Sequence, residues 1–500
     1  MTQRSARPNA STIRPTRARG WQRVAVAVSA ALVVAIPAQT AFAAAPVSVL
    51  HVGRATAQDV APRPGSEPDT VVEPDVAVSP LNRLIAVAAS HDGRYPDGGA
   101  VAISYAWTHD GGATWHHRPL PGLTTSTGGR QPWVRASDPI VAFGPDGDVY
   151  ISTLLIALTC PSAVAVSRST DGGKTFAAPV LAHYSAECSI SDDKNSLVVD
   201  TSPTSPHRGR LYQFWTPFLT DVFGNADGSP QALVYSDDHG ATWSHPVSVS
   251  RPHANTQNST PMLRPDGTIV DAFIDYGNQA QVDEDIAFRH HESTRRAAAK
   301  AAPAPPPLIR TAISTNGGKS FAPGGVVTAD LGPGPDGIRC CLQSSTSDPR
   351  TGALYTAWNS NDQSKVRLSA STDGVHWSAP VLVNRRVDST RYGVNVDVAA
   401  YGAVVSVSYG LTNADTTHGR FAQQYIATSR NGGKSFISTI AVGPRSNYAY
   451  AAQARGIFPG DYIGTAMTHG RFYAVWCVSS QPPTTGAKYH QVVYAAVLGV

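Results

Sequence analysis

The chain has 500 residues, with 40 Lys and Arg against 36 Asp and Glu, a formal net charge of +4. Six arginines (Arg4, Arg7, Arg14, Arg17, Arg19 and Arg23) precede residue 24, so the rest is close to neutral and lacks the basic excess of a nucleic-acid-binding protein. Charged residues make up 15%, below the ~25% of ordinary soluble domains, and 43 Gly with 38 Pro favour many short strands joined by turns.

In chain order, the arginines lead into an apolar run from Val24 to Ile36 and then small residues ending Ala41-Phe42-Ala43. This is the pattern of a secretory leader, with cleavage expected after about Ala43. The run is shorter than the ~20 apolar residues of a membrane anchor, no second apolar segment follows, and no twin arginine precedes it. The expectation is therefore a secreted, extracellular, monomeric protein without a membrane span, its residues 44–500 forming a single domain.

Strand pairs begin near Asp75, Asp138, Ser196, Thr260, Ser344, Asn395 and Tyr462. Residues Asp138 to Tyr150 illustrate the unit: a strand, a Pro-Asp-Gly turn and a second strand, followed by a third strand at Ala163–Ser167. After the third strand a phrase recurs, Ser/Thr-x-Asp/Asn-x-Gly-x-Thr/Ser-Trp/Phe. Its copies run from Thr108 to Trp115, Ser169 to Phe176, Ser236 to Trp243, Ser314 to Phe321, Ser371 to Trp377 (one residue shorter) and Ser429 to Phe436. Asp110, Asp171, Asp238, Asn316, Asp373 and Asn431 are placed to bond backbone N–H groups beyond them, the glycines supply positive φ, and the closing aromatic enters the core. Copies spaced by roughly 57 to 78 residues signify a repeat architecture.

The phrase is identified as the Asp-box, or BNR repeat, and the chain resembles the sialidase-like β-propellers over nearly all of residues 44–500. The fold this implies is all-β, a propeller whose boxes join the third and fourth strands of each blade. Seven strand starts imply seven blades. The last, from Tyr462 to Trp476 and Gln491 to Leu498, offers three strands, and Val47–Val52 is the natural fourth, closing the ring and removing two sheet edges. Six blades is the alternative, with the last unit as an extension. The basic, Ala/Pro-rich stretch 289–308 interrupts the fourth unit and reads as a solvated loop.

Candidate functional residues lie in the segments leading into each first strand, which converge on the axis of a propeller. They are Glu73 and Asp75; Arg130, Arg135 and Asp138; Asp192, Asp193 and Lys194; His253 and Gln257; Asp336, Arg339, Cys340 and Cys341; Arg391, Tyr392, Asn395 and Asp397; Arg455, Asp461 and Tyr462. Sialidases clamp a sugar carboxylate with three arginines and use an Asp acid/base with a Tyr nucleophile assisted by Glu. The resemblance implies Arg135, Arg339 and Arg391 as the clamp, Tyr392 or Tyr462 as nucleophile, Asp138, Asp193 or Asp461 as acid/base, and Glu73 as helper. An ordinary two-carboxylate glycosidase would draw on the same acids. The Phe/Tyr-Arg-Ile-Pro phrase that supplies the first sialidase arginine is missing from residues 44–500, and sialidases have six blades.

Five cysteines in an exported chain leave an odd one. Cys160 and Cys188 are the expected disulfide, while Cys340 either joins Cys341 in a vicinal bond or leaves one of the two to Cys477. Gly332, Gly334 and Gly337 match a dinucleotide-loop spacing, but prolines interrupt it and no helix follows. The His pairs at 116–117 and 290–291 lack zinc-site spacing, and no serine-hydrolase elbow occurs. A structural calcium ion is compatible with a secreted propeller, although no loop has a recognised calcium spacing. The functional expectation is a glycoside hydrolase of exo-α-sialidase type acting on an extracellular glycan or glycoprotein. The alternatives are a non-catalytic propeller that binds glycan or protein, and a hydrolase of neutral plant polysaccharide.

Overall fold

The boxes and lead-in segments can work together only if the strands stack radially, and the computed structural model has that arrangement. It describes residues 46–56, 59–277, 306–332, 334–385, 390–413 and 420–500. The leader read over 1–43 and most of the 289–308 insertion lie outside these residues. Among the described residues the chain is all-β apart from short 3-10 turns, and no helix is long and apolar enough to cross a membrane.

Antiparallel units of four strands follow one another over 75–119, 135–185, 190–248, 255–328, 344–382 and 391–447, the third with an added short strand, Ala226–Gly228, paired to Leu211–Thr220. A further unit over 464–499 takes its fourth strand from the other end: Ser48–Arg54 pairs antiparallel with Gln491–Gly499. The first two units share a single bridge, Ala100 to Ala136, which merges them into one sheet. The first strands are Asp75–Val78, Arg135–Phe143, Ile190–Val199, Asn255–Leu263, Ser344–Ser347, Arg391–Tyr401 and Gly464–Thr468. Each lies against the next, and the last lies against Asp75–Val78.

All six boxes join third to fourth strands. In the first, Gly112 N donates to Thr108 Oγ1 at 2.9 Å, while Thr114 N and Oγ1 donate to the Asp110 carboxylate at 3.0 and 2.6 Å. The Thr114 hydroxyl and N–H hold the Asp110 carboxyl far below the usual carboxylate range. The same pattern recurs at Asp171 and Asp238, and Asn316 and Asn431 substitute an amide for the carboxylate.

The closing aromatic packs between units. Phe176 of the second unit meets Tyr105 of the first edge-on at 4.7 Å, and Phe321 of the fourth meets Phe214 of the third at 6.2 Å. Phe436 joins Tyr355 and Leu368 of the unit before it. Apolar residues on both faces of each sheet fill these seams, as in the buried cluster of Val87, Ile103, Val141 and Ile151.

Cys160 and Cys188 form a disulfide with Cα atoms 5.1 Å apart, tying the second unit to the segment that leads into the third. Cys340 and Cys341 are bonded to each other. Cys477 is free and buried, its thiol pushed up by burial, so the pairing with Cys477 weighed from sequence does not form.

Candidate functional site

First strands do not run straight into the axis. In four units a bulge interrupts the pairing near the start, between Ser137 and Ile140, Asp193 and Ser196, Gln257 and Thr260, and Val394 and Val396. The bulge residue takes a left-handed conformation: Asp138 at φ 51°, Lys194 at 45°, Asn258 at 63° and Asn395 at 47°. Glu73, just before the first strand of the first unit, has φ 54°. Each such residue costs about 1–3 kcal/mol, a cost retained where side chains must be aimed.

These side chains converge. Glu73 Oε2 lies 3.1 Å from His91 Nε2, with both residues 3% exposed. The backbone N–H of Asp138 donates to the same nitrogen at 3.0 Å, and the Ser137 hydroxyl lies 3.3 Å from it. His91 Nε2 is thus the common contact of the Glu73 carboxyl, the Asp138 N–H and the Ser137 hydroxyl. Burial raises the proton affinity of the Glu73 carboxyl, the neighbouring Asp138 charge raises it further, and the His91 contact offsets part of the rise. Asp138 goes the other way. Burial opposes its ionisation, but the Lys194 ammonium 3.3 Å from Oδ2, then His91 and the Ser137 hydroxyl (2.7 Å), outweigh it and hold its carboxyl below the usual range. Lys194 stays charged for the reciprocal reason: burial opposes the charge, and Asp138, Glu73 and Asp461 more than compensate.

Lys194 Nζ also sits 4.1 Å from the centre of the Tyr462 ring. The Tyr462 hydroxyl donates to the Pro139 carbonyl at 3.2 Å, and burial with the surrounding carboxylates pushes its phenol well above the usual value. That environment makes Tyr462 a neutral donor. Asp461 N donates to Glu73 Oε1 at 3.3 Å, and the Asp461 carboxylate takes Arg339 Nη2 at 3.2 Å. The Arg339 guanidinium, at the exposed end of this set, lies 4.8 Å from the centre of the Phe458 ring.

Of the residues expected from sequence, Glu73, Asp138, Asp461, Tyr462 and Arg339 thus form one connected set. Asp193 adjoins it, accepting from the N–H of Lys194 at 2.9 Å. The three arginines have separate partners. Arg135 clasps Asp97 through both guanidinium nitrogens at 2.8 and 3.1 Å and lies over the Tyr95 ring, whereas Arg391 is exposed and donates to Tyr425 at 3.2 Å. Tyr392 is the second residue of the first strand of the sixth unit, paired across from Thr412. His91 and Phe458 were not anticipated. His91 had one signal in the sequence, the polar His91-Asp92-Gly93-Arg94 ending an otherwise apolar second strand.

Glu73, His91 and Asp138 offer ligand atoms within 4.8 Å of one another, and so do Asp146, Asp148 and His239. In the first group the Lys194 ammonium already supplies the cation; in the second Arg168 Nε donates to Asp148 at 2.7 Å. A calcium ion would require an all-oxygen set, which neither group is.

The family model of the BNR/Asp-box repeat matches residues 234–245, the third box, whose Ser236, Asp238 and Thr242 make the contacts of the other copies. The third box is thus a BNR/Asp-box repeat by family model as well as by its contacts. No curated protein matches the Asp-box chain in sequence. Among solved structures it is similar to a Dyadobacter fermentans protein of unknown function, at 13% identity and TM-score 0.44, covering 91% of this chain and 99% of that one. It is similar also to the Hadza microbial sialidase Hz136, at 14% identity and TM-score 0.45 over 82% and 76% of the two chains. A third likeness is to the GH93 α-L-arabinofuranosidase of Fusarium graminearum, at 14% identity and TM-score 0.45 over 78% and 98%.

Proposed function

We propose that the chain is a secreted, seven-bladed Asp-box propeller that hydrolyses extracellular glycans at the mouth formed by its lead-in turns, with Glu73 as the acid and Asp138 as the carboxylate partner. The observation that carries this reading is the convergence of two carboxyl groups, Glu73 and Asp138, with the Lys194 ammonium and Tyr462 in one enclosed set. Arg339, exposed beside Phe458, is the group suited to a sugar carboxylate, so the substrate class is a glycan with an acidic terminal sugar and the reaction is of exo-α-sialidase type. Tyr462, its hydroxyl held by the Pro139 carbonyl and its ring against Lys194, braces the pair from within the protein.

The test is hydrolysis by the purified protein of fluorogenic sialoside, arabinofuranoside and glucuronide substrates side by side. Turnover of the sialoside alone is the expected result; turnover of the arabinofuranoside alone would overturn the acidic-sugar assignment. One observation favours the second reading, a propeller that binds glycan without cleaving it: Glu73 and Asp138 are 3% and 5% exposed and already paired within the protein. Binding on a glycan array without turnover of any substrate would establish that reading instead.

A further inference from the structure

Beside the mouth is a cleft of about 300 Å³, lined by Gly65, Ser66, Glu67, Pro68, Pro96, Ala487, Lys488 and Tyr489. That volume lies at the lower end of small-ligand sites. Its two long walls are the segment leading into the first unit and the last connection of the seventh. They are joined at their base, where Gln491 N donates to Asp69 O at 2.6 Å and Val71 N to Gln491 O at 3.0 Å. The cleft is therefore preformed and requires no ordering when it fills.

Its floor is an ion pair. Glu67 meets Arg94, a guanidinium only 2% exposed, which also donates to the carbonyls of Tyr95 at 3.0 Å and Gln453 at 2.9 Å. The Arg94 guanidinium lies 5.8 Å from the centre of the Phe458 ring, the same ring that Arg339 approaches at 4.8 Å. One buried arginine thus links the two places: Arg94 pairs with Glu67 of the cleft and lies against the Phe458 ring that Arg339 also approaches. The chemistry on offer is an aromatic wall at Tyr489, proline faces, the Glu67 carboxylate to accept hydroxyl protons, and the Lys488 ammonium as a donor. The Glu67–Arg94 pair is internally neutral, so what the cleft offers a sugar is hydroxyl contacts and the Tyr489 ring.

We propose that this cleft is a second sugar subsite, which takes a neutral pyranose following the acidic sugar held at Arg339. The proposal rests on the glycan reading above. The test is calorimetric titration at low temperature of 3′-sialyllactose and of free N-acetylneuraminic acid into wild type, Tyr489→Ala and Tyr489→Phe, with melting curves to confirm folding. Wild type prefers the trisaccharide; Tyr489→Ala reduces that preference about tenfold, and Tyr489→Phe keeps it within about threefold. Equal affinity of wild type for both sugars, or an unchanged preference in a folded Tyr489→Ala, overturns the subsite and leaves the hydrolase reading standing. Failure of wild type to bind either sugar overturns both.

Discussion

Lys194 combines two costs that a protein rarely tolerates together, a left-handed backbone at φ 45° and a charge 6% exposed. The largest offset comes from the Asp138 carboxylate 3.3 Å away. Lys194→Met leaves that carboxylate buried without a countercharge, and we expect a loss of about 3–5 kcal/mol in urea unfolding. The double variant Lys194→Met/Asp138→Asn should recover more than half of it; no recovery would mean that the ion pair is not what Lys194 is for. The limits of the sequence show at the same scale. Glu73, Asp138, Asp461 and Tyr462 were legible because each precedes or opens a first strand, so local order fixes their direction. His91 was not, because it reaches the site from the far end of a second strand. The partners of Arg135 and Arg339 come from segments 38 and 122 residues away, and no local pattern encodes them.

At the level of the box, the recurring geometry serves the seam between units as well as its own turn. Gly433 has φ 75°, and a Cβ placed there would lie 2.9 Å from Cδ2 of Leu368 in the preceding unit. Gly433→Ala therefore combines backbone strain with overpacking, an expected loss of about 2–4 kcal/mol measured by denaturant midpoint. Gly402→Ala, at φ 61° with open space around the added carbon, isolates the backbone component and should cost about 1 kcal/mol. Equal losses in the two would show that the seam is loosely packed. The boxes were the most legible elements because each is a closed local circuit in which a carboxylate or amide satisfies N–H groups within four residues. The bulges were not legible. Three of the four bulge residues, Asp138, Asn258 and Asn395, are Asp or Asn and the fourth is Lys194, types common in turns throughout the chain, so residue type and periodicity could not reveal them.

For the whole molecule, buried carboxyls decide how stability responds to pH. Burial lifts the carboxyls of Asp75 and Asp271 to about 7 and that of Asp397 to about 6. Groups raised above their unfolded value near 3.8 bind more protons in the folded state, so their contribution is present below about pH 4 and is lost as pH rises through about 6 to 7. The box aspartates Asp110 and Asp238 and the Lys194-paired Asp138 have depressed values, and their contribution is lost as pH falls below about 4. The melting temperature should accordingly peak near pH 4–5 and fall by a few degrees by pH 8, and a profile rising steadily from pH 4 to 8 would contradict these assignments. The repeat order was readable at this scale because each unit announces itself with a turn and a box. The pairing of Ser48–Arg54 with Gln491–Gly499 was inferable only by asking which segment had no other partner.

The claim on which the functional reading depends is that Glu73 and Asp138 do chemistry as well as hold neighbouring units together. Its most direct measurement is kcat/KM for the fluorogenic sialoside in Glu73→Gln and Asp138→Asn, each confirmed as folded by its melting temperature. The account predicts active wild type and a loss of about 10²–10⁴-fold in both variants, the range for removal of a positioned acid or base. Folded variants that turn over substrate as fast as wild type would reduce the pair to a buried strut between the first and second units.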